Sequence, residues 1–166
     1  MLDFPKKLNN QSLFSIQNHL IRAIIGRNDL IRVFENDFRD INKDENTILI
    51  SITDPGSQLL PNDLLNSFKE QLSIQFHDVT SSDYGIPPIT KEQGKEIKDF
   101  ILKNKNNNFV IHCEAGMSRS AGVGHAVWML VEKEGDRLFF QTSPNPIKEH
   151  HRYKPNWLVF DMIVSD

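Results

Sequence analysis

A single cysteine, Cys113, stands in 166 residues, so no intrachain disulfide can form. That excludes a disulfide-stapled secreted scaffold and fits a reducing compartment, with the cytoplasm as the expected location. Long apolar runs are missing as well. None approaches the roughly 20 residues of a membrane span, and residues 1–10 lack the apolar core of a signal peptide. A strong charge of either sign is absent: 19 Lys and Arg face 22 Asp and Glu, for a net charge of -3. Bulk electrostatics therefore predicts no nucleic-acid partner and no anionic membrane surface. The short basic clusters, Lys6-Lys7 and 103–105, read as solvated ends and loops. There is no internal repeat and no long linker. The most biased stretch, 103–108, holds four asparagines and suits a turn.

What is present is an ordinary core-forming composition, 39% hydrophobic and 25% charged, expected of one globular domain over 1–166. Leu13, Ile16, Leu20, Ile24 and Ile25 recur at near-helical spacing and Gly26 follows as a stop, which predicts a helix over 17–25. Residues 30–34 read as a short strand. The β-branched run 47–52 ends in the turn residues Asp54-Pro55-Gly56, and its near-continuous apolar character predicts a strand covered on both faces. A short helix over 64–68 and an alternating strand over 72–76 follow. Thr90 is placed to cap a helix over 91–104 that buries Ile97, Phe100 and Ile101. Residues 109–112 form a short buried strand. A largely buried helix over 121–133 closes at Gly135, and a last helix over 155–164 carries proline in its first turn. Strands alternating with helices predict an α/β fold, a mostly parallel sheet of four to five strands with helices on both faces.

The chemistry is concentrated at the junction of a strand and a helix. His112-Cys113-Glu114-Ala115-Gly116-Met117-Ser118-Arg119-Ser120 leaves the strand at a cysteine, crosses a loop of small residues, and enters a helix at an arginine six positions on. A loop wrapping into a helix N-terminus aims successive backbone N–H groups at one point, which suits a tetrahedral anion. Gly116 supplies the backbone freedom of so tight a loop. Arg119 adds a planar fork able to hold two phosphate oxygens. Cys113, at the floor, is stabilised as a thiolate by the same N–H groups and stands positioned for attack on phosphorus. The plain alternative is an inert core cysteine with a surface arginine nearby. Against it, a cation at a helix N-terminus is electrostatically unfavourable unless an anion offsets it.

These nine residues, in their strand–loop–helix setting, resemble the signature of the protein-tyrosine-phosphatase superfamily, closest in wording to its dual-specificity branch. The resemblance is strong over 72–134 and extends back to 47. It implies the superfamily's three-layer fold and a cysteine-dependent phosphatase. Cys113 would be the nucleophile and Arg119 the clamp; Glu114, Ala115, Gly116, Met117 and Ser118 would form the phosphate loop with it. His112 would orient the loop and tune the cysteine, and Ser120 would assist departure of the thiolate. It further implies an aspartate general acid on a loop after the preceding strand. Asp78 follows that strand closely and is favoured for this; Asp83 is the alternative, and distance from Cys113 does not separate the two.

Other chemistry-bearing residues have plainer explanations. Asp54 follows a predicted strand and stands where a pocket residue would, but turn chemistry accounts for it more simply. His150 and His151 lack cysteine or acidic partners at ligand spacing, so they, Arg152 and Tyr153 read as a solvated loop or a rim contact rather than a metal site. His125 and Trp128 read as packing residues. No metal and no cofactor are expected. The loop has no lysine and carries acidic Glu114, which disfavours a polyphosphorylated lipid and leaves a phosphotyrosine protein or peptide, with or without phosphoserine and phosphothreonine activity, as the expected substrate. Phosphate and vanadate are the expected active-site anions. A phosphate-binding pseudophosphatase module and a rhodanese-like sulfurtransferase are the competing readings of the same loop.

Overall fold

The computed structural model describes residues 13–14, 21–36, 46–81, 85–132 and 153–165. Five strands form one sheet: β1 (Leu13–Phe14), β2 (Ile21–Gly26), β3 (Thr47–Thr53), β4 (Gln71–Gln75) and β5 (Asn108–Cys113). Their order is β1-β2-β5-β3-β4, with β1 antiparallel to β2 and every other pairing parallel. The helices are α1 (Arg27–Asn36), α2 (Asn62–Leu65), α3 (Lys91–Lys103), α4 (Arg119–Val127) and α5 (Trp157–Val164). None among the described residues is long and apolar enough to cross a membrane.

The expected α/β architecture with a mostly parallel sheet and helices on both faces is what forms. Every residue of β3 is buried, which is why the run is continuously apolar rather than alternating. Ile48, Ile50 and Ile52 share one face with Phe109 and Ile111, under residues of α3, α4 and α5. Leu49 and Val110 lie on the other, with Leu30 and Val33 of α1 and Leu64 and Leu65 of α2. Burying a side chain of this size contributes roughly 1.5–3 kcal/mol, so the two apolar layers clamp the sheet from either side. The expected Thr90 cap is also found: its hydroxyl accepts from Gln93 N–H while the Gln93 side chain accepts from Thr90 N–H.

Two elements differ from expectation in type, and others in their bounds. The predicted helix over 17–25 is not formed: residues 21–26 are strand β2, lying parallel to β5, and residues 15–20 lie outside the described ones. Ile21, Ala23, Ile24 and Ile25 are all fully buried. A strand covered on both faces has no period of two, and its apolar positions fit a helical template by default. The predicted strand over 30–34 is instead part of α1. Leu30 and Val33, three apart, bury one stripe of that helix against the sheet. The helix expected over 121–133 starts at Arg119 and widens into a π-helical turn over Trp128–Glu132; Lys133 and Gly135 lie outside the described residues. The last helix starts after Pro155 rather than including it. Its N-cap is Asn156, whose side-chain oxygen accepts from Leu158 N–H and Val159 N–H at 3.1 and 3.2 Å.

Parallel register aligns the carboxyl ends of the strands. Gly26 stands beside Cys113, Ser51 beside His112, and Thr53 beside Gln75. The segments that follow, Arg27, 54–61, 76–81 and 114–118, therefore emerge along one edge, where open parallel sheets bind ligands.

Candidate active site

Cys113 ends β5 and is 2% exposed. Gly116 N–H donates to its Sγ at 3.3 Å and Ser120 Oγ lies 3.0 Å from it. The loop curls back over its own cysteine because Gly116 adopts φ 71°, in the left-handed region. A Cβ there would lie 2.3 Å from the backbone nitrogen of Gly26, so no side chain fits. The loop is also tied from outside: Arg27 N–H donates to Glu114 O at 3.1 Å, Lys154 N–H to Met117 O and Asn156 N–H to Ser118 O, each at 3.0 Å. The Arg27 guanidinium stands 3.8 Å from the Glu114 carboxylate, a loose ion pair.

Arg119 opens α4 and is 4% exposed. Its Nη1 donates to Asp54 Oδ1 and to the Phe76 carbonyl, both at 2.7 Å. Nε is buried and has no hydrogen-bond partner among the described residues. One arm of the guanidinium is thus anchored, while another N–H remains for an oxyanion. The structure brings Asp54 to the site and corrects its assignment as a turn residue alone. Its backbone carbonyl does accept a turn bond from Ser57 N–H at 2.9 Å, but its carboxylate pairs with the arginine. Turn propensity carries no information about an ion pair 65 residues away in sequence.

His112 is fully buried. Its Nδ1 lies 3.2 Å from the Cys113 carbonyl and its Nε2 2.6 Å from Ser51 Oγ. A carbonyl only accepts, so Nδ1 carries the proton and Nε2 accepts from the Ser51 hydroxyl. Burial, with the positive charges of Arg27 and Arg119 adding to it against the backbone hydrogen bond, lowers its pKa to about 4. The folded protein therefore refuses a proton that the unfolded chain takes up near pH 6.5. Stability from this group is complete above that pH and is lost as pH falls toward about 4, by roughly 3 kcal/mol. In an NMR titration the His112 ring protons are expected to hold their neutral shifts down to about pH 5; titration near pH 6.5 would contradict the buried network.

Asp78 reaches the loop after Cys113. Ser118 Oγ donates to its Oδ1 at 2.8 Å, and Asn156 Nδ2 donates to the same oxygen at 2.9 Å. Asp83, the alternative acid, lies outside the described residues, as do His150, His151 and Arg152. Tyr153 is described and is not at a rim: it is 5% exposed and its hydroxyl donates to the Ile24 carbonyl at 3.2 Å. His125 packs edge-on against Trp157 and Phe160, as expected of a packing residue. Sequence reasoning missed Ser51 and Asn156. A lone serine in an otherwise apolar buried strand and an asparagine before an apolar helical run were the available signals.

Residues from four strand ends thus converge on one sulfur, one guanidinium and one carboxylate, and solved structures share the arrangement of elements around them. Tk-PTP in its active form matches at 16% identity and TM-score 0.56 over 92% of this chain and 93% of that one. DUSP15 matches at 21% identity and TM-score 0.55, over 92% and 88%. PTPMT1, solved in complex with PI(5)P, matches at 18% and 0.52, over 88% of each. The fold is that of the tyrosine and dual-specificity phosphatases. The resemblance seen in nine residues therefore extends to the architecture of the chain. No protein-family model matches the sequence, and no curated protein matches it in sequence.

Proposed function

We propose that this chain is a cysteine-dependent phosphatase acting on phosphotyrosine in proteins or peptides through a cysteinyl-phosphate intermediate. One observation carries the proposal: Cys113 Sγ receives the Gly116 N–H inside a loop whose arginine is locked by Asp54 and the Phe76 carbonyl, with Nε unpaired among the described residues. Such a site holds a phosphate above the sulfur that attacks it. Sγ attacks phosphorus, the S–P bond forms as the P–O bond to the leaving group breaks, and Asp78 protonates the departing oxygen. Arg119 and the loop amides meet the charge on the equatorial oxygens. Water then attacks the phosphocysteine, Asp78 takes the water's proton, and the Ser120 hydroxyl, 3.0 Å from the sulfur, donates to the departing thiolate. His112, neutral and fixed at both nitrogens, braces the carbonyl from which the loop departs.

The test is phosphate release from a phosphotyrosine peptide, run beside phosphoserine and phosphothreonine peptides and PI(5)P vesicles. Turnover of the phosphotyrosine peptide, insensitive to EDTA and blocked by vanadate, is the expected result. Preference for the lipid would move the substrate to the class bound in the PTPMT1 structure; absent turnover with retained vanadate binding would leave a phosphate-binding module. Asp78→Asn is expected to lower kcat/KM for aryl phosphates by about 10²-fold or more, and an unchanged rate would shift the acid to Asp83.

A further inference from the structure

We propose that Asn156 is a positioning residue for this reaction, holding Asp78 over the phosphate loop so that Oδ2 is the oxygen that gives and takes the proton. The proposal rests on Asp78 being the acid–base group. Asn156 is 2% exposed, and every polar atom of its side chain is committed. Its Oδ1 accepts from Leu158 N–H and Val159 N–H, the free donors at the start of α5. Only an oxygen can accept two N–H groups, so the orientation of the amide is settled and Nδ2 faces the other way. There it donates to Asp78 Oδ1 at 2.9 Å and to the Val79 carbonyl at 3.1 Å. The residue's own N–H donates to Ser118 O at 3.0 Å. One asparagine therefore joins three segments that are far apart in sequence: the acid loop, the phosphate loop and the start of α5.

A close approach makes this possible. Gly122 in α4 faces the Asn156 carbonyl, and a Cβ at that glycine would lie 2.6 Å from the carbonyl oxygen. The consequence for the acid is directional. Ser118 Oγ and Asn156 Nδ2 both donate to Oδ1, while Oδ2 has no partner among the described residues. A carboxyl group that accepts two hydrogen bonds at one oxygen carries its proton on the other. Oδ2–H then protonates the leaving oxygen as the P–O bond breaks, and Oδ2 recovers a proton from the attacking water as the S–P bond breaks.

A helix cap alone would be served equally well by serine or aspartate. Asn156→Ser keeps the cap and removes the amide donor; Asn156→Asp keeps the cap and sets a like charge against Asp78. kcat/KM is measured for phenyl phosphate, whose leaving group needs protonation, and p-nitrophenyl phosphate, whose leaving group needs little, with urea midpoints alongside. In Asn156→Ser the phenyl phosphate value is expected to fall about 10-fold and the p-nitrophenyl phosphate value less than about 3-fold, with the midpoint near wild type. Asn156→Asp is expected to be slower still on phenyl phosphate. Equal losses on both substrates, or no loss in Asn156→Ser, would reduce the residue to a cap and overturn the proposal. Asp78→Asn in the same assays separates the causes. If it selectively slows phenyl phosphate while the Asn156 variants do not, only the positioning role fails. If it spares phenyl phosphate, the acid assignment fails and takes the proposal with it. Should Asn156→Asp not fold, Asn156→Ser decides alone.

Discussion

Replacing Cys113 by serine is expected to lower kcat on an aryl phosphate by about 10⁵-fold or more, the scale on which loss of a covalent nucleophile is felt. Serine is isosteric to within one atom, and its oxygen can still accept the Gly116 N–H that the sulfur accepts now. What it lacks is the acidity of a thiol: a hydroxyl at the floor of the loop remains protonated, and the side chain that touches that position, Ser120, is no base. His112, the nearest base in sequence, has both nitrogens engaged, with the Cys113 carbonyl and Ser51. The loop amides and Arg119 are untouched, so phosphate or vanadate binding should persist within about tenfold of wild type. Isothermal titration with vanadate alongside steady-state turnover checks both halves. Turnover surviving the substitution would remove the covalent mechanism; loss of turnover together with loss of anion binding would show that the loop had collapsed rather than lost its nucleophile.

Arg119→Lys is expected to cost about 10²–10³-fold in kcat, the range for removing one donor to a developing oxyanion. The reason is geometric rather than a matter of net charge. In the native site Nη1 spans two acceptors, Asp54 Oδ1 and the Phe76 carbonyl, which lie on loops after different strands. That bond pair fixes the plane of the guanidinium and leaves Nε, buried and unpartnered among the described residues, for the substrate. A lysine has one nitrogen for both tasks. If it pairs with Asp54 it abandons the phosphate, and if it turns to the phosphate it strands Asp54 and the carbonyl. Asp54→Asn should give a smaller loss in the same direction, because the amide still accepts from Nη1 without the charge. Steady-state kinetics with vanadate inhibition constants measures both, and an Arg119→Lys enzyme within threefold of wild type would contradict the clamp.

The site was legible where its chemistry is local. A strand end, a glycine able to take φ 71°, and an arginine at a helix start lie within one stretch of nine residues, so the shape of that loop follows from short-range sequence alone. The strand over 47–52 and the capped helix over 91–104 were legible for the same reason, since β-branching and the Thr90–Gln93 box act within a few residues. Residues 21–25 were misread as helix because a strand buried on both faces loses the alternation that marks strands. Residues 30–34 were misread as strand because one turn of an amphipathic helix contains the same apolar types.

From sequence alone came the layered α/β class and the candidates proposed for nucleophile and clamp, which neighbouring residues set out, while the candidate acid Asp78 came from the family resemblance. Only the tertiary structure decided that Asp54 anchors the arginine, that Ser51 completes the histidine, and that Asn156 ties Asp78 to the loop. Those side-chain bonds join positions 61 to 78 residues apart. They exist because parallel pairing brings the carboxyl ends of separate strands to one edge, a register set by burial across the whole sheet rather than by any single segment.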